Sequence, residues 1–396
     1  MNTRNPHQAP VRPHPAPLSV CVVTETFPPE INGVAMTLGR LTEGMCARGH
    51  RLRLVRPFQS RADRPERDGS LFTSPVNGIP LPFYPEVRVG LVGTGWYRDL
   101  WRRERPDVVY VATEGPAGWN AVRQAARMGI PTVTGFHTNF HAYGRYYHAE
   151  PLQRLVMAYL RAVHNRSACT VVPTEALRAE LTGNGFRNVR VMTRGVDCTL
   201  FAPARRSRDL RRAWGVENGE LVVLHVGRLA PEKNIELAAD AFRAIAAEVP
   251  SARLVIVGDG PLRHDLARRH PRAIVTGARR GAALAEHYAS ADLLLFPSEA
   301  ETFGNVTLEG MASGLAVLAY DYAAAREHID SGRNGVTVPV GDRDRFVAAA
   351  LALARDRSGL ERLRENARRT ALGVAWQAVV ARFEELLTRC AQGGMP

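Results

Sequence analysis

The sequence holds 52 lysine and arginine residues, and only one of them, Lys233, is a lysine. It follows Arg228 in a stretch where an apolar run, residues 221–226, ends at Gly227 and passes through Pro231 into a helical pattern. Both cations are thereby expected at the carboxyl end of a strand and beside a helix start. Open α/β sheets bind ligands there, and the unpaired amides of a helix start favour anions. Arginine offers a planar fork and lysine a compact, mobile point charge, so the pair suits a diphosphate gripped from two directions. Compositional drift that spared one lysine by accident is the alternative.

A second cluster lies in residues 296–310. A strand ends at Phe296, a polar loop carries Glu301, and Asn305 is expected to cap a helix beginning at Val306. Glu309 falls in the opening turns of that helix, and helical side chains lean toward the N-terminus, so its carboxylate can reach back toward Glu301. Two carboxylates and several loop amides then converge on one spot suited to a hydroxyl-rich ligand such as ribose or a hexose. Taken singly, Glu309 is also explained as a favourable charge near a helix start, and Glu301 as a solvated side chain.

Other patterns carry less chemistry. Asp342 and Asp344 spell an Asp-x-Asp, but at a helix start, where capping explains them. His137, His141 and His148 lack the glutamate of a zinc-protease helix, so no metal site is expected. Gly258 and Gly260 follow a strand without the third glycine of a dinucleotide fingerprint and read as a tight turn. Trp96, Tyr97 and Trp101 with Arg98, Arg102 and Arg103, and a helix over 151–166 with Arg154 and Arg161, suit a membrane surface. The stripe of Leu152, Leu155, Val156, Tyr159 and Val163 suits a protein core equally well.

The elements that position these residues alternate. Strands are expected at 18–24, 51–56, 107–112, 132–136, 168–173 and 189–192, with helices such as 34–48 and 116–128 between them. After an arginine-rich connection at 195–219, a second series runs at 221–226, 253–257, 273–276, 292–296, 316–319 and 335–338. Strand–helix alternation implies parallel sheets covered on both faces. The fold class is therefore α/β, with two tandem doubly wound Rossmann-like domains facing a central cleft. A disordered tail is expected at 1–17, an N-terminal domain at 18–200 and a C-terminal domain at 201–373, with a final helix about 374–396 packing back on the first.

With 396 residues, two domains are the natural expectation. The net charge of +13 points to acidic partners such as nucleotides, anionic lipid or nucleic acid. Against nucleic acid, the arginines are dispersed and no recognition helix or aromatic RNA-binding motif is present. Five scattered cysteines without a Cys-x-x-Cys fit reduced thiols in the cytoplasm. No apolar run reaches the ~18 residues of a spanning helix, and no signal-peptide core follows the N-terminus.

Gly227 and Arg228 with Lys233, and Glu301 placed before Glu309 around Phe303 and Gly304, resemble the donor site of the family 4 retaining glycosyltransferases of GT-B fold. Matching pieces lie at 26–34, 135–139, 171–174, 195–197 and 257–262, so the resemblance covers nearly the whole chain from Leu18. Within the family it is most similar to GDP-mannose-dependent α-mannosyltransferases and to sulfoquinovosyl-diacylglycerol synthase-like enzymes acting on lipids.

The resemblance implies that Arg228 and Lys233 neutralise the donor diphosphate and that Glu309 holds the nucleotide ribose. Glu301, with the amides of Phe303, Gly304 and Asn305, would hold the transferred sugar. Gly33 would let the first loop approach the phosphates, with Asn32 where the family usually has a second glycine, and His137 would sit near the reacting carbon. The catalytic set is thus His137, Arg228, Lys233 and Glu301. No cofactor or metal is expected. The two glutamates are then committed to the donor and are not a hydrolase pair. The implied reaction moves a hexose, mannose from GDP-mannose or alternatively a hexose from a UDP-sugar, to a lipid or glycolipid at the cytoplasmic face of a membrane. A non-catalytic basic protein binding nucleic acid or membrane is the reading from another class. A sugar-nucleotide epimerase would share the fold without the two glutamates.

Overall fold

The computed structural model describes residues 16–30, 33–60, 63–81, 84–136, 150–217, 219–299, 301 and 303–394. It divides into two compact units. The first comprises residues up to 172 with 180–190 and 380–396; the second comprises 173–179 and 191–379.

Along the first half of the chain the elements run β1 (Ser19–Val23), α1 (Gly33–Ala47), β2 (Arg51–Pro57), β3 (Glu66–Asp68), β4 (Leu71–Val76), β5 (Gly78–Leu81), β6 (Tyr84–Gly90), α2 (Thr94–Arg103), β7 (Val108–Val111), α3 (Pro116–Arg127), β8 (Thr132–Gly135), α4 (Glu150–His164), β9 (Cys169–Val172), α5 (Glu175–Gly183), whose first residues are counted with the second unit, and β10 (Val189–Val191). Among the described residues the main sheet is ordered β10-β9-β8-β7-β1-β2-β4-β3, and β5 with β6 form a separate ribbon. β1 pairs in parallel with β2 on one side and β7 on the other, so the order reverses between β1 and β7.

Strands β3 to β6 were not expected from the sequence. Their runs are short and punctuated by Gly69, Pro75, Gly78, Pro80 and Pro85, residues that ordinarily mark turns. Pro75 is tolerated in β4, opposite Arg56 of β2. The aromatic segment at 96–101 is also corrected. Tyr97 and Trp101 are fully buried in the core with Cys21, Val109 and Val111, and only Trp96 of the three aromatics is exposed.

The C-terminal unit adds α6 (Arg208–Ala213), β11 (Val222–Val226), α7 (Ile235–Glu248), β12 (Arg253–Val257), α8 (Arg263–Arg269), β13 (Ala273–Gly277), α9 (Gly281–Ser290), β14 (Leu293–Phe296), α10 (Asn305–Ala312), β15 (Ala316–Tyr320), α11 (Ala323–His328), β16 (Val336–Val338), α12 (Arg343–Arg355) and α13 (Arg357–Leu372). Its parallel sheet is ordered β13-β12-β11-β14-β15-β16, the doubly wound order whose reversal point lies between its first and fourth strands. Every residue of β11 and β14 is buried, because helices cover both faces and the strands can be apolar throughout. Asp342 accepts a hydrogen bond from the Arg345 amide at the start of α12, so it caps that helix.

The last helix, α14 (Trp376–Ala391), contributes its residues from Val380 onward to the N-terminal unit. There the Phe383 ring lies edge-on to Tyr110, 4.9 Å between centroids. Glu384 accepts from Arg48 Nε at 2.8 Å and lies 2.7 Å from His50 Nε2.

Candidate active site

Strand β11 ends at Val226, and Gly227, Arg228 and Leu229 turn outward over the strand ends. The turn packs backbone to backbone on the one after β12. Gly227 N–H donates to Val257 O at 3.0 Å and Leu229 N–H to Asp259 O at 2.9 Å. A Cβ on Gly258 would lie 1.8 Å from Gly227 O, and one on Gly260 2.5 Å from Leu229 O. Gly258 and Gly260 are thus the tight turn read from the sequence, and glycine is required so that the two loops can nest.

Beyond that turn a short 3₁₀ segment, Pro231–Lys233, carries the lysine, and Asn234 in left-handed conformation (φ 51°) redirects the chain into α7. Arg228 stays open to solvent, 69% exposed, with Glu232 Oε1 3.8 Å away. Lys233 is held differently. Its Nζ donates to Glu301 Oε1 at 2.5 Å, and the two side chains are 16% and 15% exposed. Glu301 lies in the loop after β14, the neighbour of β11 across the reversal point. Its carbonyl accepts from Tyr322 Oη at 3.1 Å, and the Ala324 amide holds Phe303 O at 2.7 Å. The Phe303 ring is buried in the core and anchors the loop.

The expected cap at Asn305 is corrected. Helix α10 begins at Asn305 itself, its N-cap is Gly304 at φ 89°, and no side chain caps the first turn. A positive φ turns the chain sharply enough that the helix starts one residue early. The Glu309 carboxylate is held by a residue that the sequence reading did not name. Its Oε2 accepts from the buried Tyr288 Oη of α9 at 2.9 Å. Part of the Glu309 side chain reaches solvent, yet desolvation raises its carboxyl above the usual range, opposed by the Tyr288 hydrogen bond. Both glutamates act electrostatically on Tyr288, whose hydroxyl is pushed well up by burial and then by their charge. Tyr288 was missed because it sits in an unremarkable apolar helical run.

Two further residues escaped the sequence reading. Arg194 is buried with its guanidinium 5.5 Å from the Phe303 ring centroid. His225, wholly buried in β11, has its Nδ1 3.0 Å from Leu295 O, and burial lowers its pKa to about 4, so the imidazole is neutral.

In the N-terminal unit, Gly33 opens α1, its carbonyl accepting from Thr37 Oγ1 at 2.7 Å. Asn32, His137, His141 and His148 lie outside the described residues. At the reversal point of this sheet stand Glu25, beyond β1, and Glu114, beyond β7. Desolvation and then the charge of Glu114 raise the Glu25 carboxyl to about 7, against hydrogen bonds from Gly90, Thr113 and Gly115 that lower it. Behind Glu114, the buried His164 ring places Nε2 3.3 Å from Glu114 Oε1. Among the described residues no three His, Cys, Asp or Glu side chains gather as metal ligands would.

Residues 31–200 match the model described as Glycosyltransferase Family 4, and residues 220–356 that described as Glycosyl transferases group 1. The chain is 36% identical to a GDP-mannose-dependent alpha-mannosyltransferase of Mycobacterium tuberculosis, covering 91% of this chain and 93% of the relative. It is 29% identical to a GDP-mannose-dependent alpha-(1-6)-phosphatidylinositol dimannoside mannosyltransferase of the same species, covering 92% and 94%. A glycosyltransferase structure from Rickettsia africae superposes with a TM-score of 0.74 at 15% identity, covering 96% of this chain and all of that one. The fold is that of the GT-B enzymes, and the chain belongs to the family 4 glycosyltransferases.

Proposed function

We propose that the protein transfers mannose from GDP-mannose to a membrane lipid or glycolipid, with retention of configuration and without a metal ion. The observation that carries this reading is the Lys233–Glu301 pair, made by the loops beyond the two strands that flank the reversal point of the C-terminal sheet, with Glu309 held by Tyr288 on the helices that follow. The names of the relatives supply the donor and the lipid-linked acceptor. As the glycosidic bond to phosphate breaks, negative charge grows on the leaving diphosphate. Arg228 and Lys233 stabilise it as preorganised cations, the role a metal plays elsewhere. Glu301, with the amides at the start of α10, holds the sugar hydroxyls, and Glu309, fixed by Tyr288, holds the ribose. His137 is assigned to the reacting carbon, and Gly33 to the approach of the first loop to the phosphates, by their motifs alone. Residues 201–373 are assigned to the donor and 18–200 to the acceptor, and the protein works at the cytoplasmic face of a membrane.

The test is a panel of GDP- and UDP-sugars scored for thermal stabilisation, followed by product analysis with lipid acceptors in the presence of EDTA. Stabilisation by GDP-mannose and an α-mannosylated lipid product are expected. Stabilisation by UDP-hexoses alone would replace the donor, and loss of turnover in EDTA with rescue by Mg²⁺ would overturn the metal-free chemistry.

A further inference from the structure

The lysine assigned to the diphosphate and the glutamate assigned to the sugar are bonded to each other at 2.5 Å. Their backbones are also tied. Glu299 N–H donates to Glu232 O at 3.3 Å, Asn234 Nδ2 donates to Glu299 Oε1 at 3.2 Å, and Tyr322 holds the Glu301 carbonyl. The loops are therefore fixed relative to one another, and the side chains are the parts that can yield.

We propose that the Lys233–Glu301 pair is an internal latch that makes the donor site favour an intact sugar nucleotide over the bare nucleoside diphosphate. The inference rests on the assignment of Lys233 to diphosphate given above. A bare diphosphate meets the exposed Arg228 freely but draws Lys233 from Glu301, leaving a carboxylate that is only 15% exposed without its cation. Such a group is strongly unfavourable. An intact donor brings sugar hydroxyls that donate to Glu301, so the carboxylate stays satisfied when Lys233 turns to phosphate. Once the sugar has moved to the acceptor, Glu301 is again unsatisfied, recovers Lys233, and weakens the hold on the diphosphate product. The pair thus both selects the donor and promotes release of the spent nucleotide. The lone lysine suits this task, because a compact ammonium on a flexible stem can exchange partners where a planar guanidinium is held by its fork.

The experiment is calorimetric titration of the full chain and its Glu301→Gln, Glu301→Asp and Lys233→Ala variants with GDP, UDP and GDP-mannose. Glu301→Gln is expected to bind the bare diphosphate about tenfold tighter than the parent, with the preference for intact donor collapsing and turnover falling. Glu301→Asp, which keeps the charge on a shorter stem, is expected to lie between, and it preserves the test if the glutamine variant fails to fold. Unchanged or weaker diphosphate binding in both glutamate variants overturns the latch. GDP-mannose affinity and turnover unaffected by Lys233→Ala overturn the underlying assignment instead, because the intact donor is the ligand to which Lys233 is free to turn, so the two failures are told apart.

Discussion

The two sheets of this protein reverse their strand order at equivalent points, and each reversal point carries glutamates on the loops beyond two adjacent strands, with opposite electrostatic outcomes. In the C-terminal unit, Glu301 meets the ammonium of Lys233. In the N-terminal unit, Glu25 faces another carboxylate, Glu114, and holds its proton to about 7. One topology therefore builds two different sites. The first holds a part-buried ion pair, whose cation receives the negative charge of the leaving diphosphate under the proposed function. The second presents a desolvated acid that is half neutral near physiological pH. The sheets supply only the position, and the loop residues decide the chemistry.

The sharpest way to break the comparison is to remove the cation. Lys233→Ala is expected to lower kcat/KM by about a thousandfold, roughly 4 kcal/mol of transition-state stabilisation, while Lys233→Arg recovers part of it. Steady-state kinetics on lipid acceptor measure this, and full turnover by the alanine variant would remove Lys233 from the chemistry.

The next largest effect belongs to Glu25 and is read as stability. Its carboxyl titrates near 7 in the folded chain and near 4.5 when unfolded, so across that window the folded state keeps a proton that the unfolded state releases. Stability must therefore fall as pH rises through the window and level off above it. Between pH 5 and pH 8 the expected loss is on the order of 2 to 3 kcal/mol. Glu25→Gln should abolish this component. Denaturant melts of parent and variant at pH 5 and pH 8 check it, and parallel pH dependences would mean that the carboxyl is not desolvated.

Glu309 sharpens the comparison within the C-terminal unit, since it is desolvated like Glu25 but has a tyrosine partner. Glu309→Gln is expected to weaken nucleoside diphosphate binding by about 2 kcal/mol, the scale of a charge-assisted hydrogen bond. Tyr288→Phe should cost about half as much, through loss of positioning alone. Calorimetry with GDP separates them, and a tyrosine effect equal to or larger than the glutamate effect would reverse the roles.

What could be read from the sequence was whatever depends on local pattern. The two strand–helix series, the cations after β11 and the glutamates around α10 all follow from apolar runs and their punctuation. Pairings made through space could not be read. Nothing in the spacing of residues 233 and 301 announces that they touch, and Tyr288, which holds Glu309, and Arg194, which lies over the Phe303 ring, come from stretches whose sequences look structural. The short strands β3 to β6 were hidden because proline and glycine inside them imitate turns, while parallel pairing with β2 overrides that local signal at Pro75.

The smallest expected effect concerns the surfaces of the two units. Helix α4 keeps Leu160, Val163 and His164 buried and leaves Leu155 68% exposed beside Arg154, so the stripe read from the sequence is split between core and surface. Trp96 is exposed too, on helix α2, whose last turn carries Arg102 and Arg103. Among the described residues no helix is long and apolar enough to cross a membrane. A peripheral contact through the N-terminal unit would draw about 1 kcal/mol from each basic side chain near an anionic leaflet and would be reversed by salt. Arg154→Glu with Arg161→Glu is therefore expected to lower co-sedimentation with anionic vesicles about tenfold, with little binding to neutral vesicles in either protein. Arg243→Glu with Arg272→Glu, the same charge change on exposed positions of the C-terminal unit, should leave binding near the parental level. Equal losses in the two variants would show that net charge alone governs the attraction, and the distinction between the units would then apply to their ligand sites and not to the membrane.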